Sequence, residues 1–371
     1  MLAPIRVAFD AHTVGRRQTG NERYAVELAT ALAARDDIDL LAYVDRGVSW
    51  PTDAQPAPAL RELSARAPQL RIPLELPWRA RRDRAEILQV SYVGPPLGGP
   101  PLVTTIHDLS FEDEPDLFAL PTRLRLQWLV RRSARRSAAV TAVSEFTRQR
   151  VIDLYRLSAE KVHVVHDGVG SHWRPITAAE STAAMSGMDV PRPFILFVGT
   201  SHERKNLPRL IAAVSALRAA GQPDLALVVA GPRTPGHDAL DDAIAANHAA
   251  EWTKRLGYVD DEQLRALYGA AAAVAYVSLY EGFGLPVLEA LASGATVVAS
   301  RTTGVGEAAG DACILVDPSE IDSITDGLRR ALDDGPLKVE LRARAPAHLA
   351  QFTWSRAAAA MAQVYRGVAR P

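Results

Sequence analysis

Short runs rich in valine, isoleucine and leucine alternate with longer helical patterns along almost the whole chain. This alternation is typical of β-α-β units, in which helices bury both faces of a parallel sheet. Strands are predicted at 5–9, 40–44, 102–106, 139–143 and 162–165, and again at 194–198, 225–230, 273–277 and 296–299. Helices are predicted at 21–34 with Asn21 as N-cap, from Pro121 onward, and at 207–219, 235–249, 286–292 and 354–368.

A segment rich in glycine and proline, residues 167–193, separates the two halves and is typical of a linker. The length of 371 residues, 48% of them apolar, suits two globular domains. We expect two doubly wound α/β domains, at 1–175 and 176–353, with a C-terminal helix in 354–371 that packs back on the first. Because ligands bind beyond the carboxyl ends of parallel strands, two facing sheets of this kind form one cleft.

Charge balance and cysteine content exclude several classes of protein. With 42 basic and 43 acidic residues, a formal net charge of −1 gives no electrostatic reason to bind nucleic acid. The single cysteine, Cys313, excludes an intramolecular disulfide and a multi-thiolate metal site, and we expect it in the core. The N-terminus lacks the apolar run of about 7–15 residues of a signal peptide, and no stretch reaches the roughly 20 that span a bilayer. The sequence predicts a soluble, cytoplasmic protein.

A glycine-rich loop in the second half joins a predicted strand to a predicted helix; residues 280–290 read YEGFGLPVLEA. Gly282 and Gly284 let a ligand approach the backbone, and the helix N-terminus favours phosphate. Glu281 and Glu289 bracket the loop, and carboxylates accept paired hydrogen bonds from sugar hydroxyls. We therefore expect a phosphate flanked by a sugar on each side. An isolated glutamate pair would more simply be one solvated and one helix-capping residue.

A basic segment also follows a predicted strand and precedes a helix; residues 199–206 read GTSHERKN. Arg204 and Lys205 stand at the helix N-terminus, where their charges oppose the helix dipole. A bound anion that offsets both charges is one interpretation, and an ordinary surface pair of cations is the other.

Two segments of the first half also follow predicted strands. Residues 15–24 place Gly20 near a helix start, where a phosphate can approach, and residues 105–108 end in His107 and Asp108. His107 can exchange hydrogen bonds with a substrate or carry a proton. Taken alone, it is more simply a structural histidine paired with Asp108.

Together these segments resemble the retaining GT-B glycosyltransferases of family 4 across nearly the whole chain. The E-x7-E element runs from Glu281 to Glu289, and the basic motif from Gly199 to Asn206. Three further matches, in order, are AVSEF at 142–146, LGYV at 256–259 and GEAAGDA at 306–312. The resemblance implies two Rossmann-like domains facing across a cleft, with the donor held by the second and the acceptor entering from the first.

By this resemblance, the chain transfers a hexose from a nucleotide-diphosphate sugar to a glycan, glycolipid or small-molecule acceptor, with retention at the anomeric carbon. Segment 199–206 looks most like that of mannosyltransferases, so GDP-mannose is the expected donor. The implied catalytic residues are His107, Lys205 and Glu281. The implied donor-binding residues are Gly20, Thr200, Arg204, Lys205, Tyr258, Val259, Glu281, Gly282, Phe283, Gly284, Leu285 and Glu289.

Each implied role follows from the resemblance and suits the chemistry of the group. Arg204 and Lys205 would neutralise the diphosphate as charge develops on it, and the 282–285 backbone would hold phosphate and sugar. Glu281 would bind donor-sugar hydroxyls and Glu289 the ribose hydroxyls. Tyr258 and Val259 would line the base of the nucleotide. Gly20 and His107, from the first domain, would close over the donor.

Two positions depart from the family pattern. Thr200 stands where many members have an arginine, which places more of the phosphate binding on Arg204 and Lys205. Glu22 stands where the N-terminal loop commonly has a second glycine. Only Gly20 then remains to let the phosphate approach the backbone of this loop closely.

Neither a metal nor another cofactor is expected, because members of this fold usually work without a metal. The only D-x-D motif, residues 37–39, lies between a helix end and a strand start. We interpret its two acids as solvated turn residues.

Other classes fit fewer of these features. Residues 304–310 have the spacing G-x-G-x3-G, which is not the dinucleotide fingerprint of a dehydrogenase. A sugar-nucleotide epimerase of related two-domain fold shares the donor pocket, but the E-x7-E element argues against it. A non-catalytic nucleotide-sugar-binding partner protein is the third class, and intact His107, Lys205 and Glu281 argue against it. Hydrolysis of a donor, or transfer from it, separates an enzyme from such a binder.

Arginines gather in the first half, on and near the helix that begins at Pro121. They are Arg123, Arg125, Arg131, Arg132, Arg135 and Arg136, and residues 78–84 add Arg79, Arg81, Arg82 and Arg84. Contact with anionic lipid on the inner face of a membrane is one interpretation. A solvated helix face is favoured, because the arginines cover several faces of the helix.

Overall fold

The structure is a computed structural model that describes residues 3–16, 19–51, 56–65, 67–232 and 239–369. It divides into two compact units. The first combines Met1–Gly168 with Phe352–Pro371, and the second is Val169–Gln351. The domain boundaries predicted from the sequence, after 175 and after 353, lie a few residues further along the chain.

Strands and helices alternate in both units. The strands are β1 (Ile5–Asp10), β2 (Ile38–Asp45), β3 (Ala59–Leu63), β4 (Ile87–Ser91), β5 (Leu102–Ile106), β6 (Ala139–Ala142), β7 (Val162–Val164), β8 (Phe194–Val198), β9 (Ala226–Ala230), β10 (Thr253–Gly257), β11 (Ala273–Tyr276), β12 (Val297–Ser300) and β13 (Ile314–Val316). The helices are α1 (Thr19–Ala33), α2 (Pro68–Leu70), α3 (Leu76–Arg82), α4 (Ser110–Asp113), α5 (Leu120–Arg136), α6 (Glu145–Tyr155), α7 (Ala178–Ala184), α8 (Leu207–Ala219), α9 (Ala239–Ala246), α10 (Asp261–Ala270), α11 (Leu285–Ala292), α12 (Thr303–Ala309), α13 (Ile321–Asp333), α14 (Gly335–Leu349) and α15 (Trp354–Ala369).

The first unit contains a seven-stranded parallel sheet in the order β3-β2-β1-β4-β5-β6-β7. Its central strands are buried, as expected where helices cover both faces. The sequence predicted five of these strands and missed two: the edge strand β3, which exposes charged side chains, and the inner strand β4. That strand carries Gln89, whose buried amide donates to Thr105 Oγ1 at 2.6 Å. A polar residue with a partner inside the sheet interrupts the apolar run by which a strand is recognised.

The second unit contains a six-stranded parallel sheet in the order β10-β9-β8-β11-β12-β13. The four central strands were predicted, but the two edge strands were not. β10 reads TKRLG and lies at an edge, where charged side chains are common. β13 has three residues, too few for a pattern to show. Both sheets together confirm the expected pair of Rossmann-like layers.

The segment between the halves is more ordered than its composition predicts. Helix α7 lies inside the expected linker at 167–193, and a capping box formed by Thr177 and Glu180 starts it. The linker prediction is wrong here, because a helix of seven residues is too short for its apolar period to be recognised.

One predicted helix start is wrong, and another lies outside the described residues. Asn21 lies inside α1, which begins at Thr19, so it is not the N-cap. The helix predicted at 235–249 corresponds to α9, but residues 233–238 lie outside the described residues.

The C-terminal helix α15 belongs to the first unit and packs on α1, as the sequence predicted. Met361 and Tyr365 are among its buried residues. At its outer edge, Arg366 Nη1 lies 2.5 Å from Asp37 Oδ2. Gly168 lies against the first residues of this helix, since a Cβ at Gly168 would stand 2.2 Å from the backbone nitrogen of Trp354.

Gly168→Ala should lower the free energy of unfolding by about 1–3 kcal/mol, because its methyl group must push α15 away. Gly367→Ala is the matched control within α15. Its Cβ would meet nothing within 4 Å, so alanine should raise the free energy of unfolding by about 0.5–1 kcal/mol. Urea unfolding of both variants measures the difference, and equal effects would contradict the close packing at Gly168.

Candidate functional site

The two motif segments of the second unit meet because β8 and β11 are neighbouring strands. After β8, a helical turn at Glu203–Lys205 leads into α8, and the chain after β11 leads into α11. Leu279 N donates to Arg204 O at 2.8 Å. Asn206 Nδ2, which is buried, donates to Val277 O at 2.9 Å. These bonds join the two loops across the carboxyl edge of the sheet.

A carboxylate lies between two cations at this edge. Arg204 Nη1 donates to Glu281 Oε2 at 2.5 Å and to Tyr280 O at 3.0 Å. Lys205 Nζ pairs with Glu281 Oε1 and donates to Tyr276 Oη at 3.1 Å. The same ammonium lies 5.0 Å from the centre of the Tyr276 ring. The structure therefore brings together three of the residues predicted to bind the donor.

Burial and charge set the protonation state of this triad. Burial raises the pKa of Glu281, but Lys205 and Arg204 outweigh that effect and bring it to about 2. Burial holds the pKa of Tyr276 well above its usual value, so its hydroxyl stays protonated. Lys205 is only 8% exposed, so the interpretation of the basic motif as a surface pair of cations is wrong.

The glycine loop approaches α12 very closely. A Cβ at Gly304 would lie 2.0 Å from Gly282 O, and Gly304 N donates to Glu281 O at 3.1 Å. Gly284 precedes α11 directly, with Leu285 as the first helical residue. Position 304 must therefore be a glycine, because a side chain there would collide with this loop. This packing explains the first glycine of the G-x-G-x3-G pattern at 304–310.

The second glutamate of the E-x7-E element is buried on α11. Glu289 is 4% exposed, and Tyr268 Oη lies 3.3 Å from its Oε2. Tyr268 in turn packs edge-on against Trp173. Glu289 is therefore neither solvated nor a helix cap, and its carboxylate is already oriented by a tyrosine.

The remaining predicted donor contacts lie on loops at the same sheet edge. Thr200 follows β8, and Tyr258 and Val259 follow β10, with Tyr258 exposed and Val259 half-buried against the core. Gly231 joins these loops, because its N donates to Gly257 O and its Cα lies close against the loop after β8. Phe283 is buried next to Gly282.

His107 follows β5 in the first unit. Its Nε2 lies 3.2 Å from Ser91 Oγ, and the Tyr24 ring packs edge-on at 4.5 Å. Burial lowers the pKa of His107 to about 4 although Asp108 opposes the shift, so the ring is neutral at pH 7. Asp108 instead accepts hydrogen bonds from Ser110 N and Oγ. The hydrogen bond of His107 thus goes to Ser91, and the proposed pairing with Asp108 is wrong.

Gly20 lies in the first turn of α1, beside open space. A Cβ there would meet nothing within 4 Å among the described residues. Glu22, which replaces the second loop glycine, accepts a hydrogen bond from Gly15 N at 2.7 Å. Residues 17 and 18 of the predicted loop lie outside the described residues.

The end of β1 carries a polar pair that was not predicted from the sequence. His12 Nδ1 lies 2.9 Å from Oδ1 of Asp10, the last residue of the strand. The available signal was the D-x-H spacing directly after a predicted strand, where functional side chains of parallel sheets lie.

The acids of the D-x-D motif are partly exposed, as predicted for solvated residues, and each also forms ion pairs. Asp37 pairs with Arg35 and Arg366, and Asp39 pairs with Arg6 at 2.6 Å. Two of these arginines come from distant parts of the chain, which the local sequence does not reveal. Within the described residues, no group of three or more His, Cys, Asp or Glu side chains is arranged to hold a metal ion.

Two family descriptions match successive parts of the chain. Glycosyltransferase Family 4 matches residues 19–172, and Glycosyl transferases group 1 matches residues 180–348. The chain is a family 4 glycosyltransferase. Among the relatives of this transferase, O-antigen chain mannosyltransferase B of Escherichia coli is 28% identical over 371 aligned residues, which cover 94% of this chain and 96% of the relative.

Solved structures confirm the fold of the transferase as GT-B. Sucrose-phosphate synthase from Thermosynechococcus elongatus superposes with a TM-score of 0.78 and 20% identity over 98% of each chain. HepE of Anabaena, in complex with UDP and glucose, superposes with a TM-score of 0.76 and 18% identity over 98% of this chain and 100% of the other.

In the transferase, Glu281→Gln should lower the free energy of unfolding at pH 7 by about 3–5 kcal/mol, because two buried cations lose their counter-charge. The pKa of Glu281 is lower in the folded than in the unfolded state, so its stabilising effect is complete above the unfolded value. That effect should disappear as the pH falls from about 4.5 to about 2.

Urea unfolding across this pH range measures the difference between wild type and Glu281→Gln. The control is Glu340→Gln, which removes an exposed pair with Arg344 and should cost less than about 1 kcal/mol. A difference for Glu281→Gln that stays constant with pH would contradict the assigned charge state.

Proposed function

We propose that this glycosyltransferase moves mannose from GDP-mannose to a hydroxyl of a glycan acceptor, with retention at the anomeric carbon. The observation that carries the proposal is the Arg204–Glu281–Lys205 triad at the carboxyl edge of the second sheet. Its two cations suit a diphosphate leaving group, and its carboxylate suits sugar hydroxyls. The likeness to a mannosyltransferase over nearly the whole chain supports mannose as the sugar.

The triad supplies positive charge where it is needed during transfer. As the bond to the anomeric carbon breaks, negative charge grows on the diphosphate, and preorganised cations stabilise that charge. Arg204 and Lys205 are already oriented by Glu281 and Tyr276, so little rearrangement opposes this stabilisation. The backbone at 282–284, directly before α11, supplies N–H groups at a helix N-terminus for the phosphate.

The two glutamates take the hydroxyl contacts in this proposal. Glu281 binds hydroxyls of the donor sugar, and Glu289 binds the ribose. Tyr258 and Val259 line the base, and Thr200 leaves room for the phosphates. In the first unit, Gly20 leaves open space at the start of α1, and His107 is a neutral hydrogen-bonding group for a substrate hydroxyl, in keeping with its lowered pKa.

The charge of the leaving group is balanced by arginine and lysine in this mechanism, so we propose that the reaction needs no metal.

An epimerase and a non-catalytic binding partner are the alternatives. An epimerase converts the nucleotide sugar without an acceptor, and a binding partner leaves it unchanged. Product analysis therefore separates all three.

The donor is identified by thermal shift with GDP, UDP, ADP and dTDP and their common sugars. A ligand at about 100 times its dissociation constant adds roughly 2.7 kcal/mol, which raises the midpoint by several degrees. We expect a selective shift with GDP and GDP-mannose, and mannosyl transfer to methyl α-mannoside at equal rates with and without EDTA. A selective shift with another nucleotide would contradict the choice of donor.

Lys205→Ala and Glu281→Ala should each lower the transfer rate by about 10²–10³, the scale of one preorganised transition-state contact. The matched control is Lys254→Ala, because Lys254 pairs with Asp189 at the surface. Transfer near the wild-type rate in both site variants would refute the assignment of the triad.

We further propose that a surface of the first unit contacts a membrane, the interpretation of its arginines that the sequence alone did not favour. We call it the tryptophan–arginine surface; it comprises α3, the loop 94–100 and α5. Trp78 and Trp128 are 55% and 62% exposed, and an arginine lies over each ring at 5.3 and 5.6 Å. Arg136 Nη2 donates to Gly98 O at 3.0 Å and so ties the loop to α5. In that loop, Leu97 is exposed, with 71% of its surface accessible.

The composition of this surface suits anionic lipid. Helix α5 carries six arginines and no acidic residue. Tryptophan favours the interface between headgroups and acyl chains, and arginine is attracted to anionic headgroups. Two of the arginines turn towards the protein, since Arg131 contacts Glu112 and Arg135 donates to Tyr155 O. Among the described residues, no helix is long and apolar enough to cross a membrane.

We expect the protein to float with vesicles that contain phosphatidylglycerol and not with pure phosphatidylcholine vesicles. Trp78→Ala with Trp128→Ala should weaken this binding roughly tenfold, because both interfacial anchors are lost. The matched control, Ile321→Ala with Val339→Ala, removes exposed apolar side chains of the second unit and should bind as wild type. Equal binding by all three proteins would refute the proposed surface.

A further inference from the structure

The first sheet carries a second histidine whose position is set by a buried acid. Asp10 ends β1 with its side chain only 3% exposed, and His12 follows two residues later. Asp10 Oδ1 accepts a hydrogen bond from His12 N at 3.3 Å and lies 2.9 Å from His12 Nδ1. Backbone and ring of the same histidine are therefore fixed by one carboxylate.

The charge state of Asp10 determines which nitrogen of His12 carries the proton. Burial raises the pKa of Asp10, but the pairing with His12 and the charge of the buried Arg71 outweigh this effect and lower the pKa. An ionised carboxylate only accepts hydrogen bonds, so Nδ1 must be the donor. In the neutral ring, Nε2 is then a lone-pair acceptor, and it makes no hydrogen bond within the described residues.

The loop that carries His12 is held in place by backbone hydrogen bonds. Ala11 N donates to Tyr43 O at 2.9 Å, which extends the pairing with β2 beyond the end of β1. Val14 N donates to Ala11 O, and this closes a turn around His12. Ring and loop are thus preorganised, although the His12 side chain remains 21% exposed.

His12 and His107 lie on one edge of one sheet. β1 pairs with β4, whose Ser91 contacts His107, and β4 pairs with β5, which leads to His107. Parallel strands lie about 4.8 Å apart, so the ends of β1 and β5 are separated by roughly 10 Å. This distance is comparable to a hexose with its hydroxyl substituents.

We propose that His12 is a binding residue for the acceptor, and that its Nε2 accepts a hydrogen bond from a carbohydrate hydroxyl while Asp10 holds the ring. The inference rests on the proposed transferase function. A lone pair with no partner among the described residues selects a hydrogen-bond donor, such as a hydroxyl, and rejects a phosphate, which offers only acceptors at neutral pH. Asp10 acts through His12 and is a positioning residue.

The tautomer is tested without any substrate by ¹⁵N NMR of the histidine rings, with His12 assigned by its loss in His12→Gln. We expect the proton on Nδ1 in the wild type. In Asp10→Asn the amide can donate to Nδ1, so the proton should move to Nε2. A wild-type ring protonated on Nε2 would overturn the proposal.

The acceptor role is tested by mannosyl transfer from GDP-mannose to methyl α-mannoside. His12→Ala should raise the acceptor KM roughly tenfold, the value of about one lost hydrogen bond. The donor KM, and the slow hydrolysis of donor without acceptor, should stay within twofold. His12→Gln, whose amide oxygen can accept the same bond, should recover part of the loss. Asp10→Asn combined with His12→Ala should be no worse than His12→Ala alone.

A matched control is His172→Ala, because His172 also faces an aspartate, Asp261, at 3.4 Å but is exposed in the second unit. Its acceptor KM should equal that of the wild type. A merely structural His12 would lower the thermal midpoint and change donor hydrolysis together with transfer, and this result would overturn the proposal. If the wild type neither hydrolyses the donor nor transfers the sugar, the proposed function itself fails and this inference fails with it.

Discussion

The buried carboxylate of Glu281 is the contact on which the binding edge of the second unit depends. It comes from the loop after one strand and pairs with two cations from the loop after the neighbouring strand. Arg204 and Lys205 would otherwise repel each other at the start of α8, where the helix dipole also opposes them. Because their charges are compensated inside the protein, both loops keep one conformation before any ligand arrives. Glu281 neutralises only one of the two positive charges, so the three side chains keep a net positive charge to which a diphosphate can bind.

Elements with a repeated apolar pattern were predictable from the sequence, and elements stabilised by particular partners were not. β8, β9, β11 and β12 consist almost entirely of apolar residues, and all four were predicted. β4 was missed because Gln89 interrupts its apolar run, and the partners of Gln89, Thr105 on β5 and Tyr365 on α15, come from elsewhere in the chain. The edge strand β10 was missed because its exposed side chains are charged. In both cases the strand depends on contacts or on solvent exposure that exist only in the folded protein, and a local sequence pattern does not show them.

The same distinction holds for the candidate site. The motifs brought Arg204, Lys205 and Glu281 to one place, because residues after neighbouring parallel strands share an edge. Their pairing was not predicted. One interpretation of the sequence was that a bound anion offsets the two cations, whereas in the structure the carboxylate of Glu281 does so. His12 was overlooked because a lone D-x-H carries little signal until the acid proves to be buried and the histidine accessible.

The first unit is discontinuous in sequence, because α15 completes it from the other end of the chain. During synthesis, residues 1–168 leave the ribosome long before residues 354–369 exist, and the whole second unit is made in between. Until then, the face of α1 that α15 covers stays open to solvent. Domains generally fold as they emerge from the ribosome. Here the first unit emerges before the second, but it is complete only after α15 has been made. Its final stability therefore depends on residues that are translated after the whole second unit, and a chain truncated before α15 lacks this closing contact.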